Sequence, residues 1–268
     1  MTPPTTGTTP MTATTQTTGT TPTIGSWIKL PTSVAIEAVF AAGADFVCID
    51  MCNGCFSIES VSGLLAYGTP GPRLVRLSAD AHPSVVGQLL DAGADGVVIP
   101  HVDSTERAEE FVKAALFPPD GHRGMGSTGR QGNWGLDGVP AYLSRGRLPD
   151  SVPPVSIMIE SRRALEQLDQ LAAVAGVSAL LVGSADLGLE LGFDADALQK
   201  ATRRVAEACR QHGLSAAIAV ARPADVGRYH AHGFDTFYVS NDATLLARAA
   251  QEVYIQARAS TVVSESSQ

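Results

Sequence analysis

The chain is short of basic residues, of cysteine and of long apolar runs, and each shortage removes a class of function. Only 19 lysines and arginines stand against 27 acids in 268 residues, a formal charge of -8. Neither a nucleic acid nor an anionic membrane surface is therefore expected as the main partner. No apolar run approaches the roughly 18 residues of a membrane span. The four cysteines, Cys48, Cys52, Cys55 and Cys209, are too few to staple a chain of this length. The amino-terminal stretch shows neither the cationic region nor the apolar core of a secretion signal, so the cytoplasm is the expected compartment. Residues 1–24 carry no charge and no periodic apolar face; Thr, Pro and Gly dominate them. Such a segment buries too little apolar area to offset its ordering entropy and is expected to be a disordered tail. Residues 260–268 are polar and expected to fray.

What remains, residues 25–259, is apolar enough for one large core and shows a recurring unit. Ala41-Ala42-Gly43-Ala44-Asp45 precedes Phe46 to Asp50, and Asp91-Ala92-Gly93-Ala94-Asp95 precedes Gly96 to Pro100. Val174-Ala175-Gly176-Val177-Ser178 and Ala231-His232-Gly233-Phe234-Asp235 lead into two more apolar runs. Each reads as a helix closed by a left-handed glycine, followed by a short strand buried on both faces. The gaps hold further strands, which gives eight: Ser26 to Leu30, Phe46 to Asp50, Arg73 to Leu77, Gly96 to Pro100, Val155 to Glu160, Ala179 to Val182, Leu214 to Val220 and Thr236 to Ser240. Helical periodicity falls between them over Val34 to Ala42, Val85 to Ala92, Ala164 to Ala173 and Leu198 to Cys209. Eight alternating units in a chain of this size predict an α/β fold, a closed (β/α)8 TIM barrel. An open doubly wound sheet is the alternative, but the glycine-rich dinucleotide fingerprint is missing after the first strand. The connection from Phe117 to the fifth strand is long and carries Arg123, Arg130, Trp134 and Tyr142, the sort of residues a substrate cover uses.

In a barrel the chemistry sits at the carboxyl ends of the strands. Those ends offer Trp27 or Lys29, Asp50, Arg76, His101, Glu160, Asp186 and Asn241-Asp242. Val155 to Glu160 and Leu180 to Asp186 are two apolar runs that each stop at an acid. An unpaired buried charge costs several kcal/mol, so such acids mark where the chain leaves the core. If the two strands are neighbours, Glu160 and Asp186 lie side by side. Two hard oxygen ligands suit Mg2+ or Mn2+ better than zinc, with Co2+ also admissible. Cys52-Asn53-Gly54-Cys55 is formally a C-x-x-C pair, but zinc wants four ligands and no second pair exists.

At this point the residues carry a resemblance. Gly25 to Leu30, Phe46 to Asp50, Leu74-Val75-Arg76, Leu90 to Ala94 with Gly96 to Pro100, Phe117-Pro118-Pro119-Asp120-Gly121-His122-Arg123-Gly124, Ile159-Glu160 and Gly183-Ser184-Ala185-Asp186-Leu187 resemble, in order, the HpcH/HpaI aldolase and citrate lyase family. The resemblance implies a (β/α)8 barrel, a homo-oligomer (a hexamer, or trimer of dimers, with an exchanged carboxyl-terminal helix) and metal-dependent aldol chemistry between a 2-oxo acid and an electrophilic acceptor. It implies Glu160 and Asp186 as metal ligands and Arg76 as the enolate-stabilising arginine. It implies backbone amides of Gly183, Ser184 and Ala185 for the substrate carboxylate, with Trp27, Met158 and Arg123 also near substrate. An arginine donating to a developing oxyanion is worth on the order of 3 kcal/mol.

The departures from the family carry as much weight. After the aspartate of the second strand the family usually reads asp-x-glu-his, and that histidine is its general base. Here the run is Asp50-Met51-Cys52-Asn53, and Asn53 cannot accept a proton at neutral pH. Met158 stands where the family has glutamine. Three routes remain open. His101 or a hydroxide on the metal could be the base; the enolate could arise by decarboxylation of an oxaloacetate-like acid, which needs no base; or the site could bind without turnover.

Overall fold

A computed structural model of the protein describes residues 21–145 and 154–265. Eight parallel strands, β1 (Thr23–Ile28), β2 (Phe46–Asp50), β3 (Arg73–Arg76), β4 (Gly96–Ile99), β5 (Val155–Ile159), β6 (Val177–Val182), β7 (Ser215–Val220) and β8 (Thr236–Asn241), pair in sequence order and close into a barrel. The expected TIM barrel is thus the observed one.

The helices follow from local chemistry. α1 (Ser33–Ala41), α2 (Ile58–Leu65), α4 (Thr105–Ala115), α6 (Arg162–Glu166) and α9 (Ala195–His212) are each capped by the side chain of the preceding residue, Thr32, Ser57, Ser104, Ser161 and Asp194. Such a cap satisfies an amide that the first helical turn leaves orphaned. α3 (Ser84–Ala92) ends on Gly93 at φ 106°, and Gly43, Gly176 and Gly233 adopt the same left-handed region. The recurring glycines therefore do what their spacing predicts. The remaining helices are α5 (Gly138–Arg145), α7 (Leu168–Ala172), α8 (Ser184–Glu190), α10 (Asp225–His230) and α11 (Asp242–Glu265).

Side chains alternate along each strand. One set, including Val47, Ile49, Val75, Ile99, Ile157, Ile159, Leu180 and Ile218, is fully buried with the helix residues Ile36, Leu89, Phe111 and Val205. The other set fills the barrel: Trp27, Phe46, Cys48, Leu74, Val98, Met158, Leu181, Ala217 and Tyr238 form a separate cluster drawn from all eight strands. Fully buried side chains of this size each stabilise by about 2 kcal/mol.

Several expectations need correction. Thr23 and Ile24, read as part of the tail, belong to β1 and pair with Thr236 and Phe237 of β8; residues 1–20 lie outside the described residues. At the other end α11 runs past Ser260 to Glu265; residues 266–268 of the expected tail lie outside the described residues. The helix expected over Ala164 to Ala173 is split into α6 and α7 at Gln167. The long connection is not structureless: it holds a short 3-10 helix (Arg130–Gly135) and then α5.

Candidate active site

The inner layer of the barrel positions the site. Two residues beyond the interior side chains Trp27, Cys48, Leu74, Met158, Leu181 and Tyr238 come Lys29, Asp50, Arg76, Glu160, Gly183 and Ser240. The two-residue period keeps each on the inner face, one layer nearer the carboxyl ends. Together with Asn53, Ser184, Ala185, Asp186, Asn241, Thr244 and Arg248, all of these except Glu160 line a cleft of about 370 Å3.

On one side register makes the central ion pair. Asp50 and Arg76 are direct partners on β2 and β3. Arg76 grips Asp50 in a fork, Nε to Oδ1 at 2.8 Å and Nη2 to Oδ2 at 2.7 Å. Its Nη1 faces the Met158 sulfur at 3.7 Å, and its guanidinium lies 4.4 Å from the centre of the Trp27 ring. Asp50 also accepts the amides of Cys52 and Asn53 at 3.1 Å each, and Lys29 Nζ stands 3.3 Å from its Oδ2. Burial pushes the Asp50 carboxyl up, but the hydrogen bonds and charge of Arg76, the Asn53 amide and Lys29 outweigh it and hold the group below the usual carboxylate range. Arg76 is correspondingly held more firmly protonated: burial opposes its charge, and the bonds and charge of Asp50 overcome that.

Across the barrel, β5 and β6 are paired with Ile159 opposite Val182, so Glu160 and Gly183 emerge together. A Cβ on Gly183 would come within 2.9 Å of both Cβ and Oε2 of Glu160, which explains why glycine stands there. Glu160 is 4% exposed. Its Oε1 accepts the His101 amide at 2.7 Å, and His101 Nδ1 lies 3.2 Å away. His101 holds φ 52° to make that contact, and Ser240 at the end of β8 holds φ 57°. Left-handed non-glycine residues are costly and tend to gather at functional rims. Burial raises the Glu160 carboxyl; the amide and charge of His101 lower it and the neighbouring Asp186 charge raises it again, leaving it above its ordinary value. Asp186, in the first turn of α8, is exposed and makes no hydrogen bond among the described residues.

These carboxylates fit a hard divalent cation. A buried carboxylate beside a second, unengaged one is short of positive charge, and both supply oxygen. No group of three or more His, Cys, Asp or Glu ligands exists among the described residues, which excludes a closed zinc site there. Mg2+ commonly takes one or two carboxylates and keeps its other positions for water and substrate.

The expected site residues do not all meet. Trp27, Asp50, Asn53, Arg76, Met158, Gly183, Ser184, Ala185 and Asp186 line the cleft, and Glu160 and His101 adjoin it through their shared hydrogen bond. Arg123 does not join them. It is buried where α4 ends, with Nη2 on Asp91 at 2.6 Å and its guanidinium 4.7 Å from the Phe117 ring centre. Asp91 belongs to the last turn of α3, and Tyr142 donates to the same oxygen at 2.8 Å. Arg130 donates to the Ala92 carbonyl. The connection therefore straps the end of the barrel where strands begin, and neither Arg130, Trp134, Tyr142 nor His122 lines the cleft. Among the cysteines Cys48 is buried, Cys52 half-buried and Cys55 exposed, all as free thiols. Burial raises the Cys48 and Cys52 thiols, against the lowering effect of Arg76. Sequence reasoning missed Ser240, Thr244 and Arg248. The alternation that places Tyr238 inward could have found Ser240, whereas Arg248 lies two turns into α11, beyond any strand-end rule.

A closed parallel barrel with polar side chains gathered in a carboxyl-end cleft is where enzymes of this fold do their chemistry, and the relatives of this chain make it an aldolase-like lyase. The chain belongs to the HpcH/HpaI aldolase/citrate lyase family, whose model matches residues 23–249. It is 36% identical over 240 residues to a hydroxypyruvate/pyruvate aldolase of Deinococcus radiodurans, covering 84% of this chain and 82% of that one. It is 32% identical over 232 residues to a 4-hydroxy-2-oxo-heptane-1,7-dioate aldolase of Escherichia coli, covering 84% and 86%. The solved structure of a family member from Burkholderia cenocepacia J2315 superposes with a TM-score of 0.81 at 30% identity, over 89% of this chain and 95% of that one.

Proposed function

We propose that the protein is a divalent-metal-dependent carbon-carbon lyase and carboligase that stabilises the enolate of a pyruvate- or oxaloacetate-type 2-oxo acid, with the enolate generated by decarboxylation. The observation that carries this reading is the state of Asp50. Its oxygens are taken by Arg76, two amides and Lys29, and Asn53 beside it cannot take a proton. That wall holds no free base, and decarboxylation requires none.

Glu160 and Asp186 would hold Mg2+ or Mn2+, which when bound acts as a Lewis acid on the carbonyl and carboxylate of the 2-oxo acid. Arg76, oriented by Asp50, offers Nη1 to the carbonyl oxygen as it gains charge, where Met158 supplies only a weak acceptor in competition. The amides of Ser184 and Ala185, at the start of α8, would face the donor carboxylate; that of Gly183, expected to join them, is instead donated to the Ile159 carbonyl at 3.2 Å. The carbon-carbon bond to the departing carboxylate breaks, CO2 leaves, and the electron pair remains as the enolate. The enolate carbon then takes a proton from water, giving pyruvate, or attacks the carbonyl carbon of an aldehyde, whose oxygen takes a proton from water as the new carbon-carbon bond forms. The names of the Deinococcus and Escherichia relatives support the 2-oxo acid class. Trp27 closes one side of the space over Arg76.

A second reading makes His101 the base of a standard aldol addition; its half-exposed ring beside Glu160 favours that role. Oxaloacetate separates the two. Metal-dependent decarboxylation with slow exchange of pyruvate methyl protons is the expected result, and fast exchange abolished in His101→Ala would install His101 instead. Absence of metal-dependent turnover, or turnover unchanged in Glu160→Ala, rejects both. We also propose a homo-oligomer, hexamer or trimer of dimers, since α11 exposes Leu245, Leu246, Val253, Tyr254 and Ile255, an apolar surface that a monomer rarely leaves open. Sedimentation at micromolar concentration checks it.

A further inference from the structure

The paired register of β4 and β5 ends with Ile99 opposite Ile157, and beyond it side chains join the two chain ends. Glu160 Oε1 accepts the His101 amide at 2.7 Å. One residue further on, the Ser161 hydroxyl donates a short hydrogen bond to Asp103 Oδ1. The same hydroxyl accepts the Ala164 amide at 2.9 Å, which caps α6, so it acts as donor and acceptor at once. Consecutive residues of the β5 end, 160 and 161, are thus tied to residues 101 and 103 of the β4 end.

Between the two ties the backbone is strained. His101 holds φ 52°, a conformation that is costly for a non-glycine residue and persists only where its surroundings over-determine it. Three neighbours in sequence supply that constraint. Val102 is fully buried, Asp103 is fastened to Ser161, and Ser104 starts α4 by accepting the Arg107 amide at 3.3 Å. The second oxygen of Glu160 has a different neighbour. A Cβ on Gly183 would stand 2.9 Å from Oε2, so Oε2 lies on the β6 side, from which Asp186 follows in the first turn of α8. One carboxylate oxygen is held from β4, and the other is turned toward β6.

We propose that Asp103 is a positioning residue for the divalent cation: through Ser161 it fixes the left-handed His101, whose amide holds Glu160 Oε1 and so keeps Oε2 presented on the side of Asp186. The inference rests on the proposed metal reading and deepens it. Asp103 does not line the cleft and acts by removing the freedom of a ligand before the ion arrives. A carboxylate already aimed loses less rotational freedom on binding than one that has to be ordered. Outer partners that orient metal ligands typically change affinity by about tenfold or more.

The test is the affinity of the full-length protein for Mn2+, read from the electron paramagnetic resonance of the free ion, with melting curves of the metal-free variants alongside. Asp103→Ala binds Mn2+ about tenfold more weakly than the wild type. Asp103→Asn loses the charge but keeps an oxygen for the Ser161 hydroxyl, and it binds within about twofold of the wild type. An equal loss in Asp103→Asn and Asp103→Ala means attraction by charge alone and overturns the positioning role. Ser161→Gly removes the hydroxyl while leaving a residue accepted at a helix N-cap, and it too loses about tenfold. The double variant of Asp103→Ala and Ser161→Gly binds no more weakly than either single one, because both remove the same tie. Losses that multiply in the double variant, or wild-type affinity in Asp103→Ala, overturn the proposal. If Asp103→Ala does not fold, Ser161→Gly decides alone, and wild-type affinity there overturns it. Glu160→Gln checks the metal reading separately. If it loses the Mn2+ that the wild type binds while Asp103→Ala keeps it, only the positioning role fails. If the wild type binds no Mn2+, or Glu160→Gln binds it equally well, the metal reading fails and the role of Asp103 with it.

Discussion

Arg76 and Arg123 are chemically near twins. Each is buried, each bonds an aspartate, and each lies over an aromatic ring at less than 5 Å, Trp27 at 4.4 Å and Phe117 at 4.7 Å. Their positions differ in one respect that decides everything else. Arg76 ends β3 at the carboxyl end of the barrel and keeps Nη1 toward a cleft. Arg123 follows α4 at the opposite end, where Asp91, Phe117 and Tyr142 surround it and Nε is buried without a partner. The first pair orients a cation for work on a ligand; the second closes a strap against a helix. A buried arginine-aspartate pair is thus no guide to function until one knows which end of the strands it occupies.

The contrast can be broken most decisively at Arg76. Arg76→Lys should lower kcat for oxaloacetate by about a hundredfold to a thousandfold, because lysine cannot hold Asp50 and also present a second planar donor. The melting temperature should fall far less in proportion, since a cation still meets Asp50. Steady-state kinetics together with calorimetry check both halves. Gly183→Ala comes next. Its Cβ must displace the Glu160 carboxylate, so activity should fall about a hundredfold and metal affinity, measured by titration calorimetry, should weaken in parallel.

Arg123→Ala should show the reverse of Arg76. Leaving Asp91 without its guanidinium partner, with only the Tyr142 hydroxyl still on that oxygen, should cost about 2 kcal/mol of stability in urea unfolding, with activity per folded molecule within about threefold of wild type. A large loss of kcat at unchanged stability would end the distinction drawn between the two arginines. The smallest effect is the pH dependence, and the two acids of the site have opposite signs. Asp50 has a lowered folded value, so its stabilisation is complete above the unfolded carboxylate value and disappears as pH falls through the lowered one. Glu160 has a raised folded value, so in metal-free protein its charging opposes folding once pH rises from the unfolded carboxylate value toward and past the raised one. Melting curves should therefore show metal-free Glu160→Gln gaining on wild type as pH rises to neutrality, and the gain vanishing in acid.

Much of the site was legible because strand ends are legible. Short apolar runs ending at Asp50, Arg76 and Glu160 can be read without a structure, since burying an unpaired charge within the run is too costly. The period of two even dictates that Cys48 and Asp50, or Met158 and Glu160, share a face. Arg123 misled because a motif residue in a long connection looks the same whether the connection covers the cleft or straps the far end. Arg248 escaped because nothing local marks which face of α11 meets the barrel mouth.

The sequence by itself determined the barrel, the order of its strands and the hard-oxygen character of its acids, since hydrophobic periodicity, helix-ending glycines and donor chemistry are properties of short segments. Only the tertiary structure decided that Asp50 is saturated by Arg76, Lys29 and two amides, that Arg123 belongs to the opposite end, and that Lys29 and Arg248 share one cleft with Asp186. Those facts depend on barrel closure, which brings together residues as far apart as Trp27 and Tyr238, and no local pattern records which distant side chains a closed ring of strands will make neighbours.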